Sequence, residues 1–235
     1  MVRRHGTGQF ASALVFPGGL VDSSDRADDW LPLLHGADGL DTEERALTIG
    51  ACRETFEESA LLLARDGEGR SVSCITEDRS DFRAAVAASG GRLMFDDLAH
   101  FGHWITPVGP PKRFDTHFFL AAAPLGQDAV ADGSETVALE WVQPRDLLAR
   151  AKGGDLSILF PTRMNLKRLA ESHSVASAMA AARSRERFTV TPRVEKRDGG
   201  TAVVITAEAG YGETENFHPH PPRPDPKSPN PPGAA

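Results

Sequence analysis

Phe16-Pro17-Gly18-Gly19 and, further along, Arg53-Glu54-Thr55-Phe56-Glu57-Glu58 are the stretches that decide the reading of this chain. The first closes a short apolar run, Ala11 to Phe16, and reads as a strand running into a tight loop. Adjacent glycines let the backbone approach a metal or a phosphate closely and leave carbonyl groups free to act as ligands. The second stretch lies in the clearest helix, residues 44–64, where Ile49, Cys52, Phe56 and Leu63 recur at helical spacing and Asp41 or Thr42 can cap the start. On that helix Glu54, Glu57 and Glu58 stand at i, i+3 and i+4 and share one face. Three carboxylates crowded there repel one another unless something cationic neutralises them. Mg2+ suits them best, because it takes carboxylate oxygens together with waters and substrate phosphates. Arg53 can offset part of the charge by pairing with Glu57 one turn on. Each stretch alone also fits a solvated acidic helix face or an ordinary strand-ending turn; it is their conjunction that favours a metal site.

The bulk properties set limits around this motif. The chain has 235 residues, 40% hydrophobic and 25% charged, which is ordinary for a globular protein able to bury its own core. Its net charge of −7 argues against bulk electrostatic binding to nucleic acid, yet it leaves room for a small anionic ligand held by a local cluster or a metal. Cys52 and Cys74 form neither a disulfide framework nor a metal-ligand pattern and read as reduced thiols. No apolar run approaches the ~20 residues of a membrane span, and no secretory cleavage pattern follows the start. The expectation is a cytoplasmic protein that binds neither membrane nor nucleic acid.

Around the motif, residues 22–43 look like an inserted loop holding one helical turn. Asp81 to Ser89 reads as a helix, Asp96 to His100 as a turn, and His103 to Thr106 and Arg113 to Ala123 as strands. Glu140 to Val142 reads as a further strand, Pro144 to Ala151 as the start of a helix, and 162–183 as helical. Phe188 to Val194 and Thr201 to Ala207 can pair as a hairpin across Asp198-Gly199-Gly200. From Phe217 onward the chain holds eight of its 17 prolines and almost nothing apolar, so disorder is expected over 213–235. His218 and His220 in that tail could bind a metal, but a solvated tail is the favoured reading.

The two stretches together resemble the box of the Nudix hydrolases, G-x5-E-x7-R-E-U-x-E-E-x-G-U, with U a bulky apolar residue. Gly19, the Arg53-Glu54 and Glu57-Glu58 pairs, and Leu61 match it. The resemblance implies an α/β/α sandwich with a mixed sheet over residues 1–212, carrying an insertion at about 20–43 and a C-terminal β extension at 185–212. It implies Mg2+, with Mn2+ as a substitute, held by Glu54, Glu57 and Glu58 with the Gly18 carbonyl. It also implies a catalytic role for these glutamates, with Arg53 orienting them, and a small nucleotide-type substrate cleaved at a diphosphate bond. A homodimer is compatible with it. The departures are specific. Between Gly19 and Arg53 lie 33 residues, 20 more than the signature holds. Counting back from Arg53, the usual glutamate is Arg45, for which Glu43 or Glu44 could substitute. Ala60 replaces the closing glycine, and Thr55 the first U.

A box split in this way looks like the branch that contains a peroxisomal coenzyme A diphosphatase and its bacterial relatives. Trp104-Ile105-Thr106-Pro107, Pro111 to Thr116, Phe118-Phe119-Leu120, Phe160-Pro161-Thr162-Arg163 and Ala209-Gly210-Tyr211 resemble that branch too. Coenzyme A or an acyl derivative is therefore the leading substrate expectation. The alternative is a non-catalytic Nudix module that binds a nucleotide ligand for regulation. Glu135, in a Glu-x5-Trp-Val context, is the candidate fourth carboxylate or general base, and Glu140 the runner-up. Lys112, Arg113 and Arg4, with Arg3, could hold substrate phosphates. Asp115 is expected to pair with Arg113, and His103 and Trp104 to serve as core or rim. Only Met1-Val2-Arg3-Arg4 precedes the box region, so either the true start lies upstream or the sheet lacks an N-terminal strand.

Overall fold

Alternating helices and short strands place the chain in the α/β class, as expected. The computed structural model describes residues 1–4, 14–73, 78–109, 112–134, 136–154 and 156–220. In chain order the strands are β1 (Val2–Arg4), β2 (Leu14–Val15), β3 (Leu34–His35), β4 (Ala64–Arg65), β5 (Arg92–Met94), β6 (Leu98–Ile105), β7 (Asp115–Ala121), β8 (Thr136–Leu139), β9 (Thr189–Val190), β10 (Arg193–Arg197), β11 (Gly200–Val204) and β12 (Glu215–Pro219). The helices are α1 (Thr42–Ser59), α2 (Phe82–Ala88), α3 (Pro144–Lys152), α4 (Phe160–Ala170) and α5 (Val175–Ser184), with short 3-10 turns at Ser23–Arg26 and Asp28–Leu33. Among the described residues the strands join as four three-stranded sheets, in the orders β2-β1-β8, β3-β5-β4, β7-β6-β9 and β10-β11-β12. Pairing is mixed, with β3–β5 and β6–β9 parallel and β1–β2, β1–β8 and β6–β7 antiparallel. Val2–Arg4 is itself the middle strand of its sheet.

Helix α1 begins where the sequence says it should. Asp41 accepts from the Glu44 N–H at 2.9 Å while Glu44 reaches back to the Asp41 N–H at 3.3 Å, a reciprocal cap with acidic charge at the helix N-terminus. It ends five residues earlier than periodicity predicts. Ala60 turns left-handed (φ 61°), and Leu61 to Leu63 run on toward β4. Burial overrides helix propensity here. Leu62 is fully buried, and the Gln127 side chain takes its N–H at 2.8 Å and donates to its C=O at 3.0 Å, as a neighbouring strand would.

The apolar stripe of α1 packs Ile49, Cys52 and Phe56 against Trp30, Phe82 and Leu93. The Phe82 ring lies 5.4 Å from Trp30 and 5.6 Å from Phe56. Each such ring stabilises the fold by about 1.5–3 kcal/mol relative to exposure. Leu14, Leu147 and Leu166 fasten β2 to α3 and α4, and Ala99, Phe101, Met179 and Ala182 seat α5 on β6. The segment Ala209-Gly210-Tyr211 closes another core. The Tyr211 hydroxyl accepts from Trp104 Nε1 (3.1 Å) and Arg168 Nη1 (3.1 Å) and donates to Asn165 Oδ1 (2.9 Å). The Arg168 guanidinium stacks on the Tyr211 ring at 3.7 Å.

Several boundaries differ from the sequence expectation. Residues 162–183 form two helices, because Ser174 caps a new start with Ser177. The strand expected at Glu140–Val142 lies at Thr136–Leu139, paired with β1. The strand expected at His103–Thr106 begins five residues earlier, at Leu98. The hairpin partner of β11 is Arg193–Arg197, while Thr189–Val190 pairs with β6. The stretch expected to be disordered from 213 includes an ordered strand, since Glu215–Pro219 pairs with β11. An edge strand tolerates Pro219, whose missing N–H interrupts no ladder on the outer side. Residues 221–235 lie outside the described residues. No helix among the described residues is long and apolar enough to cross a membrane.

Candidate active site

The loop after β2 meets the last turns of α1, where Arg53 and Glu58 are buried and Glu54 and Glu57 partly so. Phe16 anchors the loop, its ring set edge-on to Phe118 of β7 at 6.1 Å. Gly18 adopts φ 155°, a conformation side chains rarely take, and its N–H donates to Glu58 Oε2 at 3.1 Å. Gly19 lies against Glu54 so closely that a Cβ there would sit 2.5 Å from the carboxylate. The two glycines thus have separate duties, one of backbone angle and one of clearance.

Arg53 binds the pieces together. Its Nη1 donates to Glu54 Oε1 at 2.9 Å and to Glu57 Oε2 at 2.8 Å. Its Nη2 donates to the Leu20 carbonyl at 2.7 Å, and Nε and Nη2 each reach Asp25 at 3.0 Å. Burial alone would lower the guanidinium's pKa, but hydrogen bonds and charge from Asp25 and Glu54 hold it above the ordinary value. Arg53 thus contacts Glu54 and Glu57, two of the three glutamates it is expected to orient. Burial pushes the Glu57 carboxyl above its usual range against the pull of Arg53, with Glu54 and Asp22 adding repulsion.

Asp25 is the residue that sequence reading missed. It is 1% exposed, sits in the Ser23–Arg26 turn and grips Arg53 with both oxygens. Glu43 and Glu44 do not substitute for the absent glutamate. Glu43 pairs with Arg26 in solvent, Glu44 caps α1, and Arg45 turns toward Leu40, Thr42 and Asp28. The signal was available. Counting forward from Gly19, rather than back from Arg53, puts Asp25 in the sixth place, where the signature has its glutamate. By that count the extra residues fall after Asp25.

The remaining candidates are placed as follows. Lys112 stacks over the Phe114 ring at 5.0 Å and Arg113 donates to the Thr106 carbonyl at 3.0 Å, so both make their contacts beside the β6–β7 turn and not at the glutamate cluster. Arg4 contributes its backbone to β1. Glu135 lies outside the described residues. Glu140 is drawn to Arg150 at 2.5 Å, and that hydrogen bond holds its carboxyl below the usual range. Asp115 pairs with His103 and His117 instead of Arg113. Trp104 is core. Burial, with the charge of Asp25, pushes the Cys52 thiol up to about 12, which suits an inert core residue; Cys74 lies outside the described residues. His218 and His220 contact Asn216 and Thr201.

The donor set fits a hard cation in kind, with three carboxylates on one helix face beside a glycine loop. Arg53 Nη1 draws Glu54 and Glu57 to one point, and the Gly18 N–H takes an oxygen of Glu58. Among the described residues, the group of three ligand-type side chains whose donor atoms all lie within 4.8 Å is instead His103, Asp115 and His117.

No protein-family model matches the chain. Individual proteins do. It is 28% identical over 179 residues to a nudix hydrolase of Caenorhabditis elegans, across 73% of this chain and 55% of that protein. It is 26% identical over 261 residues to the acyl-coenzyme A diphosphatase NUDT19 of Gallus gallus, across 87% of this chain and 67% of that protein. The chain thus spans little more than half the length of the worm relative. The crystal structure of a NUDIX hydrolase from Alicyclobacillus acidocaldarius superposes with a TM-score of 0.66 at 31% identity, covering 76% of this chain and 86% of that one. The fold, the arginine-tied glutamates beside Gly18-Gly19 and this likeness agree: the chain belongs to the Nudix hydrolase family.

Proposed function

We propose that this chain is a Mg2+-dependent hydrolase that cleaves the diphosphate bond of a nucleoside-diphosphate-linked substrate, with coenzyme A or an acyl derivative as the preferred class. The observation that carries the reading is Arg53 holding Glu54 and Glu57 on the face that meets the Gly18-Gly19 loop. Glu54, Glu57 and Glu58 would hold the ion with the Gly18 carbonyl; Mn2+ would serve in its place. When bound, the ion neutralises diphosphate charge and lowers the pKa of a water. Arg53 keeps Glu54 and Glu57 turned toward the loop while itself remaining charged and out of solvent. Gly19 leaves room for Glu54 and for close approach of a phosphate. Glu135 would accept the proton of the attacking water, and Arg113, Lys112 and Arg4 would hold the substrate's phosphates. Water adds to one phosphorus as the bridging P–O bond breaks, so coenzyme A would give 3',5'-ADP and 4'-phosphopantetheine. The coenzyme A preference follows the names of the vertebrate relatives.

The test is turnover with Mg2+ of coenzyme A, NADH, ADP-ribose and diadenosine polyphosphates, with Glu57→Gln run in parallel. Release of 3',5'-ADP, lost with Mg2+ removal and in Glu57→Gln, is expected. Equal turnover by the variant would sink the metal assignment, and no turnover of any substrate would favour a nucleotide-binding module.

A further inference from the structure

A second cluster lies on the strand pair β6–β7. His103 and His117 face each other across the ladder, and Asp115 stands two residues before His117. Period-two alternation therefore places all three side chains on one face. Phe118 points to the opposite face, where it packs against Phe16 beside the glycine loop. The cluster is thus set apart from the glutamates of α1.

Its geometry is converging. His103 Nε2 lies 2.5 Å and His117 Nε2 3.6 Å from the same oxygen, Asp115 Oδ1. The remaining ring nitrogens are both engaged: His103 Nδ1 with Thr189 Oγ1 at 2.8 Å, and His117 Nδ1 with His100 Nε2 at 3.1 Å. Partners of this kind fix the tautomer and aim of a metal-ligating imidazole. The His103 and His117 rings stack at 4.0 Å and 20°, an arrangement that two imidazolium cations would oppose. Arg187 is the nearby cation that works against an added positive ion; the Asp115 carboxylate, 61% exposed, offsets it and leaves room for water.

We infer that His103, His117 and Asp115 form a second metal site on the chain, with a two-histidine, one-carboxylate donor set suited to a transition ion of the Zn2+ class. Imidazole nitrogens select Zn2+, Co2+ or Ni2+ over Mg2+. Donor atoms gathered this closely surround an ion bound at about 2.0–2.2 Å after small side-chain rotations, His103 Nε2 and Asp115 Oδ1 moving apart to admit it. An ion there would pin β6 to β7, and through Thr189 to β9.

The experiment uses the whole chain, stripped with a chelator and titrated with Co2+ in the presence of saturating Mg2+. One equivalent should bind with visible d–d absorption, be displaced by Zn2+, and bind at least tenfold more weakly in His117→Gln and in Asp115→Asn. Glu57→Gln and the double variant His218→Gln/His220→Gln should keep it. Melting of each variant in chelator checks that the fold persists, and Asp115→Asn, on an exposed side chain, remains informative if His117→Gln unfolds. Co2+ binding that is absent, that survives both substitutions, or that disappears in Glu57→Gln would overturn the assignment.

Discussion

Replacing Asp25 by asparagine removes the charge opposite Arg53 with little change in volume. Arg53 is 7% exposed, and Asp25 takes two of its donors at 3.0 Å, while Glu54, Glu57 and the Leu20 carbonyl take the rest. The amide cannot accept with both of its ends, so one guanidinium N–H loses its partner and meets an NH2 group. Breaking a buried pair on one side costs roughly 3–5 kcal/mol. The three contacts that Arg53 keeps argue for the lower end of that range. For a chain of this length each kcal/mol moves the melting temperature by about 2–4 °C, so a fall of about 6–12 °C is expected. Glu43→Ala is the comparison, because its pair with Arg26 is solvent-exposed and screened, so its loss should move the melting temperature far less. Calorimetry or chemical denaturation reads both. An Asp25→Asn protein that melts within 1 °C of wild type, or a larger loss in Glu43→Ala, would refute the assignment of Asp25 as the anchor of Arg53.

Three further outcomes follow from the same geometry. Ala60→Gly should stabilise the chain by about 0.5–1 kcal/mol, since Ala60 holds φ 61° at the end of α1, and a lower melting temperature would count against that account. Gly19→Ala should cut kcat/KM about ten- to a hundredfold by displacing Glu54, yet cost less than about 1 kcal/mol, because only a flexible carboxylate must move; unchanged kinetics would show that Glu54 is not needed where it stands. The Glu57 carboxyl, raised by burial, binds its proton at higher pH than a free glutamate, so protons compete with a cation there. Mg2+ affinity should therefore climb as pH rises through that raised value and level off above it. Glu57→Gln should weaken binding and flatten the climb, and an identical pH profile in the variant would exclude Glu57 from the titration.

Much of the site was legible because its logic is local. Glu54, Glu57 and Glu58 share a face by helical spacing alone, the cap at Asp41 and Glu44 is a short-range pattern, and a glycine pair after an apolar run marks a close approach of backbone. The α/β class and the family resemblance rest on those same residues. What remained hidden depends on distant segments meeting. Asp25 reaches Arg53 only because a 3-10 turn folds back on α1, so counting from the wrong end of the inserted segment assigned its place to Arg45. The end of α1 is set by Gln127, 65 residues away, which supplies the hydrogen bonds that keep Leu62 extended. The union of His103 with Asp115 and His117 is a matter of strand register, which no single stretch encodes. Sequence alone determined which chemical groups the box carries and on which helix face they stand; tertiary structure decided which charges neutralise them, because burial and register are set by contacts between elements far apart in the chain.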